Sequence, residues 1–140
     1  MPAYSPTPLA QKLGFKPETR YLLIGAPAGF DRLIVTKPES AVAVAPRAAM
    51  ADLIIFFAAN LKSLTSHLPA LIPKLPSTGA LWIAWPKLAS GVPTDLRDSV
   101  VRETLLATGL VDLKVCSISD TYSGLKFVRR MKDRPAPLKK

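Results

Sequence analysis

Residues 52–59 read Asp-Leu-Ile-Ile-Phe-Phe-Ala-Ala, and the apolar run from Leu53 to Ala59 is the longest in the chain. It is far short of the ~20 apolar residues of a membrane span, and its length and composition fit a strand buried on both faces. Downstream, Leu61, Leu64, Leu68, Leu71, Ile72 and Leu75 recur at three- and four-residue spacing, the apolar stripe of a helix. Pro69 and Pro73 interrupt that stripe, which predicts a kink near 65–69 or two short segments. Ser77-Thr78-Gly79 is a turn, and Ala80–Trp85 (ALWIAW) is another buried strand, halted at Pro86. Upstream, Tyr21–Ile24 and Ala41–Ala45 (AVAVA) read as two more buried strands, stopped by Gly25 and Pro46. Buried runs alternating with amphipathic helices define an α/β three-layer sandwich with a mostly parallel sheet.

The ends of the chain complete this pattern. Thr7-Pro8-Leu9 starts a short helix, with Thr7 as its cap, Pro8 as its first residue and Gly14 as its stop. Thr94-Asp95 opens a clearer one: Leu96, Val100, Val101, Leu105 and Leu106 line its apolar side, Thr94 or Asp95 caps it and Gly109 ends it. Val111–Ile118 alternates as a strand, Asp120–Gly124 is a turn, and Leu125–Arg129 returns as an antiparallel partner, giving a C-terminal antiparallel hairpin. Ligands in such sheets bind beyond the C-terminal strand ends, which here are the loops 25–31, 46–50, 59–61 and 86–94.

A chain of 140 residues with 49% hydrophobic and 21% charged residues is one globular unit, here a single domain over 1–130 with a basic tail at 131–140. Its single cysteine, Cys116, excludes an internal disulfide and a cysteine-based zinc cluster. Its single histidine, His67, falls on the predicted helix 61–72 and reads as structural. Met1–Lys12 lacks the apolar stretch of a secretory leader, and a lone thiol suits a reducing, cytoplasmic compartment. The expected state is a monomer or small homo-oligomer with no membrane association.

The order of elements from about residue 20 to 130 resembles the second half of class I S-adenosylmethionine methyltransferases: Asp52-Leu-Ile-Ile, Gly79-Ala-Leu-Trp, the helix from Asp95 and the Val111–Arg129 hairpin look like its parts. That resemblance implies a Rossmann-like fold and S-adenosylmethionine as cofactor. In this family a glycine-rich loop after the first strand lets backbone approach the cofactor, and an acid after the second strand accepts hydrogen bonds from the ribose. The positions here are Gly25 and Gly29, with Pro27 between them, and Val44-Ala45-Pro46-Arg47, with Glu39 as the nearest upstream acid. The cofactor site therefore reads as reduced or lost. Tyr4–Gly14 (YSPTPLAQKLG), Ala84–Lys87 (AWPK), Ser90–Leu96 (SGVPTDL) and Ser123–Val128 (SGLKFV) resemble, over nearly the whole chain, a small bacterial family of unknown function.

Candidate ligand-binding residues follow from the loops: Gly25 and Gly29 after the first strand, and Trp85, Lys87, Ser90, Thr94 and Asp95 after the ALWIAW strand. Lys87 can hold an anion, and the following helix adds its positive N-terminal dipole. Each has a plainer reading, Asp95 as a helix cap, Trp85 as core and the glycines as turn formers. No catalytic or metal-binding constellation is legible: one histidine gives no triad, and Tyr122 and Ser123 have no base beside them. Charge is uneven, residues 123–140 carrying seven basic side chains against Asp133, most of the chain's net +9. Arg129, Arg130, Lys132 and Arg134 are the candidates there for weak, nonspecific nucleic-acid contact through phosphate. The reading favours a non-catalytic ligand- or partner-binding module on a methyltransferase-like scaffold. Its rivals are a methyltransferase with a reduced cofactor site and a nucleic-acid accessory protein acting through its tail.

Overall fold

In the computed structural model, which describes residues 8–130, Leu53–Phe57 forms strand β3 and all five side chains are buried. The run is apolar throughout because β3 is central: it pairs in parallel with β1 (Arg20–Ile24) on one side and β4 (Ala80–Pro86) on the other. The six-stranded sheet has the order β2-β1-β3-β4-β6-β5, with β2 at Val42–Ala43, β5 at Leu110–Ser117 and β6 at Tyr122–Arg129. Strand β6 runs antiparallel to both β4 and β5, which makes the predicted terminal hairpin part of the main sheet.

Alternate residues of each strand feed two separate cores. Ile54, Phe56, Leu81, Ile83 and Phe127 pack under helices α3 (Leu61–Leu71) and α4 (Asp98–Leu106), which contribute Leu64, Leu68, Val101 and Leu105. Ile55, Phe57 and Trp82 face the other way, toward Leu13 of α1 (Leu9–Leu13) and Phe30 of α2 (Phe30–Leu33). Helices on both faces of the sheet are the expected three-layer sandwich. Trp82 is fully buried, and its indole Nε1 donates to the Leu13 carbonyl at 2.9 Å, fixing the end of α1 to β4.

Several local expectations are corrected. The AVAVA segment is not a buried strand: β2 has two residues, and Val42 is 53% exposed. It is the outer edge, and no helix between it and β3 covers it. Pro69 does not break α3. The helix continues through it to Leu71 and tightens into a 3₁₀ turn at Ile72–Lys74. The carbonyl Pro69 leaves without a partner belongs to exposed Thr65, where water can satisfy it. Pro8 stands at the N-cap of α1, one place before the predicted position, and the Thr7 cap lies outside the described residues. Helix α4 begins at Asp98, with Arg97 at its N-cap, and not at Thr94 or Asp95, whose side chains reach the segment after β3. Gly124 belongs to β6 and not to a turn. A Cβ there would lie 2.7 Å from Ile118 Cδ1 and 3.2 Å from Trp82 Cε3, so a side chain would have to displace Ile118.

Candidate functional site

The chain leaves β1 outward to β2 and then crosses back to β3, so the strand order reverses between β1 and β3. Open α/β sheets bind ligands beyond the carboxyl ends of the strands at such a switch. The loop after β1 turns at Gly25 (φ 72°) and Gly29 (φ 85°), both left-handed. Gly25 faces β3: a Cβ on it would sit 2.8 Å from the Phe57 carbonyl oxygen. Its missing side chain thus serves strand-to-strand packing. Gly29 is the N-cap of α2.

The loops after β3 and β4 are tied together. Asn60 caps α3 locally, its Oδ1 accepting from Ser63 N at 2.8 Å, while Asp95 Oδ1 accepts from Leu61 N at 2.8 Å. Asp95 is a helix cap, but for α3 and not for the helix that follows it. Thr94 Oγ1 donates to the Ala59 carbonyl at 2.7 Å and accepts from Leu96 N at 3.2 Å. Inside the β4 loop, Ser90 Oγ donates to Lys87 O at 2.7 Å and accepts from Val92 N at 3.2 Å. Lys87 Nζ donates to Ser117 Oγ at 2.6 Å, and Lys87 N to Thr121 O at 2.7 Å, tying the loop to the β5–β6 hairpin.

This arrangement encloses two cavities. The larger, about 530 Å³, is lined by Trp85, Lys87, Thr94, Arg97, Asp98 and Ser123 together with Leu88, Val92 and Val115. That volume lies within the ~300–1,000 Å³ of small-molecule sites. The smaller, about 160 Å³, lies at the switch point between Gly25, Ala58, Ala59, Pro86 and Tyr122. Val92 and Pro93 line both. Beside the smaller cavity, Phe57 stacks edge-on with Tyr122 at 5.1 Å and with Phe30 at 5.0 Å, which fills the sheet end with rings.

Of the residues predicted from sequence, Trp85, Lys87 and Thr94 line the larger cavity and Gly25 the smaller, while Gly29, Ser90 and Asp95 line neither. Arg97, Asp98 and Val115 also line the larger cavity and are not among the candidate ligand residues, and Ser123, weighed from sequence only as an isolated hydroxyl without a base, joins them. Ser123 arrives by register, opposite Trp85 on β4 and Ser117 on β5, a pairing with no linear signal. Arg129 is held to backbone: its guanidinium donates to Leu75 O and Ile72 O, each at 2.8 Å, closing the 3₁₀ turn. Arg130 is half-buried, and Lys132 and Arg134 lie outside the described residues. His67 Nδ1 donates to the Ser63 carbonyl at 2.8 Å and its ring stacks on Phe56, a structural role. Burial pushes the Cys116 thiol above its ordinary pKa against the opposing charges of Lys12, Lys114 and Lys87, which leaves it a poor nucleophile. Among the described residues no group of three or more histidine, cysteine, aspartate or glutamate side chains is placed to hold a metal, and no helix is long and apolar enough to cross a membrane.

By sequence, no family model matches the chain and no curated protein does, so the resemblance to a small bacterial family gains no support from these comparisons. By structure, the chain is similar to the ribosomal protein L11 methylase of Lactobacillus delbrueckii subsp. bulgaricus (TM-score 0.58, 11% identity, 87% of this chain and 75% of that one). It is also similar to a TehB-like SAM-dependent methyltransferase of Corynebacterium glutamicum (TM-score 0.53, 10% identity, 91% and 90%). A third similar structure is the fibrillarin pre-rRNA processing protein of Methanococcus jannaschii (TM-score 0.53, 16% identity, 86% and 73%). The chain has the Rossmann-like fold of S-adenosylmethionine-dependent methyltransferases. At these identities the likeness establishes the fold.

The residues present fit that cofactor in part. The C-terminal edge offers space and a glycine turn. The segment after β2 offers Ala45, Pro46 and Arg47 and no carboxylate for a ribose, and Glu39 is exposed ahead of that strand.

Proposed function

We propose that the chain is an S-adenosylmethionine-dependent methyltransferase with a reduced cofactor site. The observation that carries this reading is the placement of both cavities on the C-terminal edge, one at the β1/β3 switch and one beyond β4, with Val92 and Pro93 as their common wall. The structural likeness to methyltransferases, over most of this chain and most of those chains, supports it. In this reading Gly25, Ala58 and Ala59 bound the inner end of the site. Trp85, Lys87 and Thr94 form the outer end, where Lys87, already bonded to Ser117, orients an acidic group of the ligand. Gly29, Ser90 and Asp95 hold the loops in place.

A second reading, a non-catalytic ligand- or partner-binding module on the same scaffold, is favoured by two observations. Gly25 is committed to the Phe57 carbonyl, and no carboxylate follows β2. The two readings separate in a calorimetric titration with S-adenosylhomocysteine at low salt. Saturable micromolar binding supports the methyltransferase reading and directs the search to a methyl acceptor. Absence of heat, with no thermal stabilisation at millimolar ligand, refutes it and leaves the binding module.

A further inference from the structure

The opposite, N-terminal edge of the sheet carries a cavity of about 440 Å³ with a different character. Its lining includes Lys126, Lys16 and Gly14 together with Glu18, Asp52 and Thr78. Lys126 lies on β6 in register with Trp82 on one side and with Lys114 on the other. Register partners share a face, so two lysines stand directly opposite on neighbouring antiparallel strands, an arrangement that costs stability. The Lys126 Nζ sits above Gly14, 3.8 Å from where a Cβ would be. Among the described residues Lys126 makes no ion pair. The salt bridge among the described residues joins Arg102 to Asp112, neither of which lines this cavity. Of the two acids in the cavity, Asp52 is occupied at Oδ2 by Arg20 N at 2.9 Å. Glu18 sits at the rim with left-handed backbone, φ 66°, a conformation costly for a side chain of its kind.

Burial lowers the Lys126 pKa from its ordinary value, and the positive charges of Lys114 and Lys16 lower it further. A half-buried amine repelled by two others is a poor structural element and a good seat for an anion.

We propose that this cavity is a binding site for a small phosphate-bearing ligand, with Lys126 and Lys16 holding the phosphate and Asp52 and Thr78 meeting hydrogen-bonding groups of the remainder. An anion there relieves the repulsion across β5 and β6 and supplies Lys126 with an acceptor. The site is separate from the C-terminal cleft and does not depend on its function.

The test uses pyrophosphate as probe, titrated into the full chain at low ionic strength and followed by calorimetry and thermal melting, with chloride of equal ionic strength as control. The wild-type chain binds one pyrophosphate saturably and melts higher. Lys126→Gln lowers that affinity about tenfold or more, the loss of one charge-assisted hydrogen bond. Without ligand, Lys126→Gln is at least as stable as the wild type, because the like-charged pair is gone. Should that variant fold poorly, Lys16→Gln, on an exposed turn, carries the same expectation for affinity. Displacement of pyrophosphate by a short single-stranded oligonucleotide assigns the site to a phosphate backbone and overturns the small-ligand assignment. Its failure to compete identifies a small free phosphate compound. Absence of saturable binding by the wild type up to tens of millimolar, or equal affinity in a folded Lys126→Gln, overturns the proposal.

Discussion

Replacing Asp95 by alanine tests whether the loop after β4 caps the helix after β3. The first four N–H groups of a helix lack partners within it. In α3 two of them are met by side chains, Ser63 N by Asn60 and Leu61 N by Asp95, both at 2.8 Å. Removing a capping oxygen costs about 0.5–2 kcal/mol. Leu61 N is near solvent, so water replaces part of the bond and the expected loss is about 1 kcal/mol. With an unfolding entropy of roughly 2.1 cal/mol/K per residue, that lowers Tm by about 3–4 °C for a chain of this length. Denaturant and thermal unfolding followed by circular dichroism measure it, and hydrogen exchange reads the Leu61 amide directly. Asp95→Asn keeps an acceptor oxygen and loses less than half as much. Asn60→Ala loses a comparable amount at a different N–H. An Asp95→Ala protein with unchanged stability and unchanged Leu61 protection refutes the reasoning. So does an Asp95→Asn protein as weak as the alanine variant, which would assign the effect to charge and not to the hydrogen bond.

Other consequences are equally direct. Gly25→Ala combines a left-handed residue with a contact on the Phe57 carbonyl and is expected to cost about 3 kcal/mol by chemical denaturation. Gly91→Ala, left-handed but with nothing within 4 Å, costs about 1 kcal/mol, and equal losses at the two positions would disprove the packing role of Gly25. Trp82→Phe leaves the Leu13 carbonyl without its donor and opens space in the core, a loss of about 2–3 kcal/mol. Cys116, held protonated by burial, reacts with iodoacetamide at pH 8 more slowly than a free thiol until the chain is denatured. A fast native-state reaction would show that the thiol is not shielded.

What the sequence discloses and what it hides divide along physical lines. Strands β1, β3 and β4 are legible because burial on both faces forces continuous apolar runs with sharp ends at Gly25 and Pro86. The AVAVA segment carries the same signal and misleads, since hydrophobicity does not tell a central strand from an edge strand. Thr94 and Asp95 look like the cap of the helix beside them in sequence. Besides the local bond from Leu96 N to Thr94, they reach Ala59 and Leu61, more than thirty residues away, and a capping motif has no mark for which N-terminus it serves. The same limit hid Ser123 and the Lys114–Lys126 opposition. Both arise from the register of β6 against its neighbours, and register is fixed by three-dimensional packing. The loop after β4 is legible as a place to seek a site because its position follows from the strand order alone.

The two ends of the sheet are under different constraints. Strands β3 and β4 are buried along their whole length and carry the sandwich whether or not anything binds at their ends. The loops that would hold a cofactor contribute little to that core, so a ribose carboxylate can be absent, or a glycine turned to packing, with the fold intact. This is why similarity to methyltransferases over 82–91% of the chain speaks for the scaffold and leaves the chemistry to be decided by individual loops. A half-buried lysine opposed by a second lysine is a different case, because it costs the folded state something on every molecule. Its presence at the N-terminal edge is harder to attribute to the scaffold than any feature of the C-terminal cleft. For that reason a phosphate titration, rather than the fold, discriminates best between a chain that keeps only its architecture and one that has acquired a site of its own.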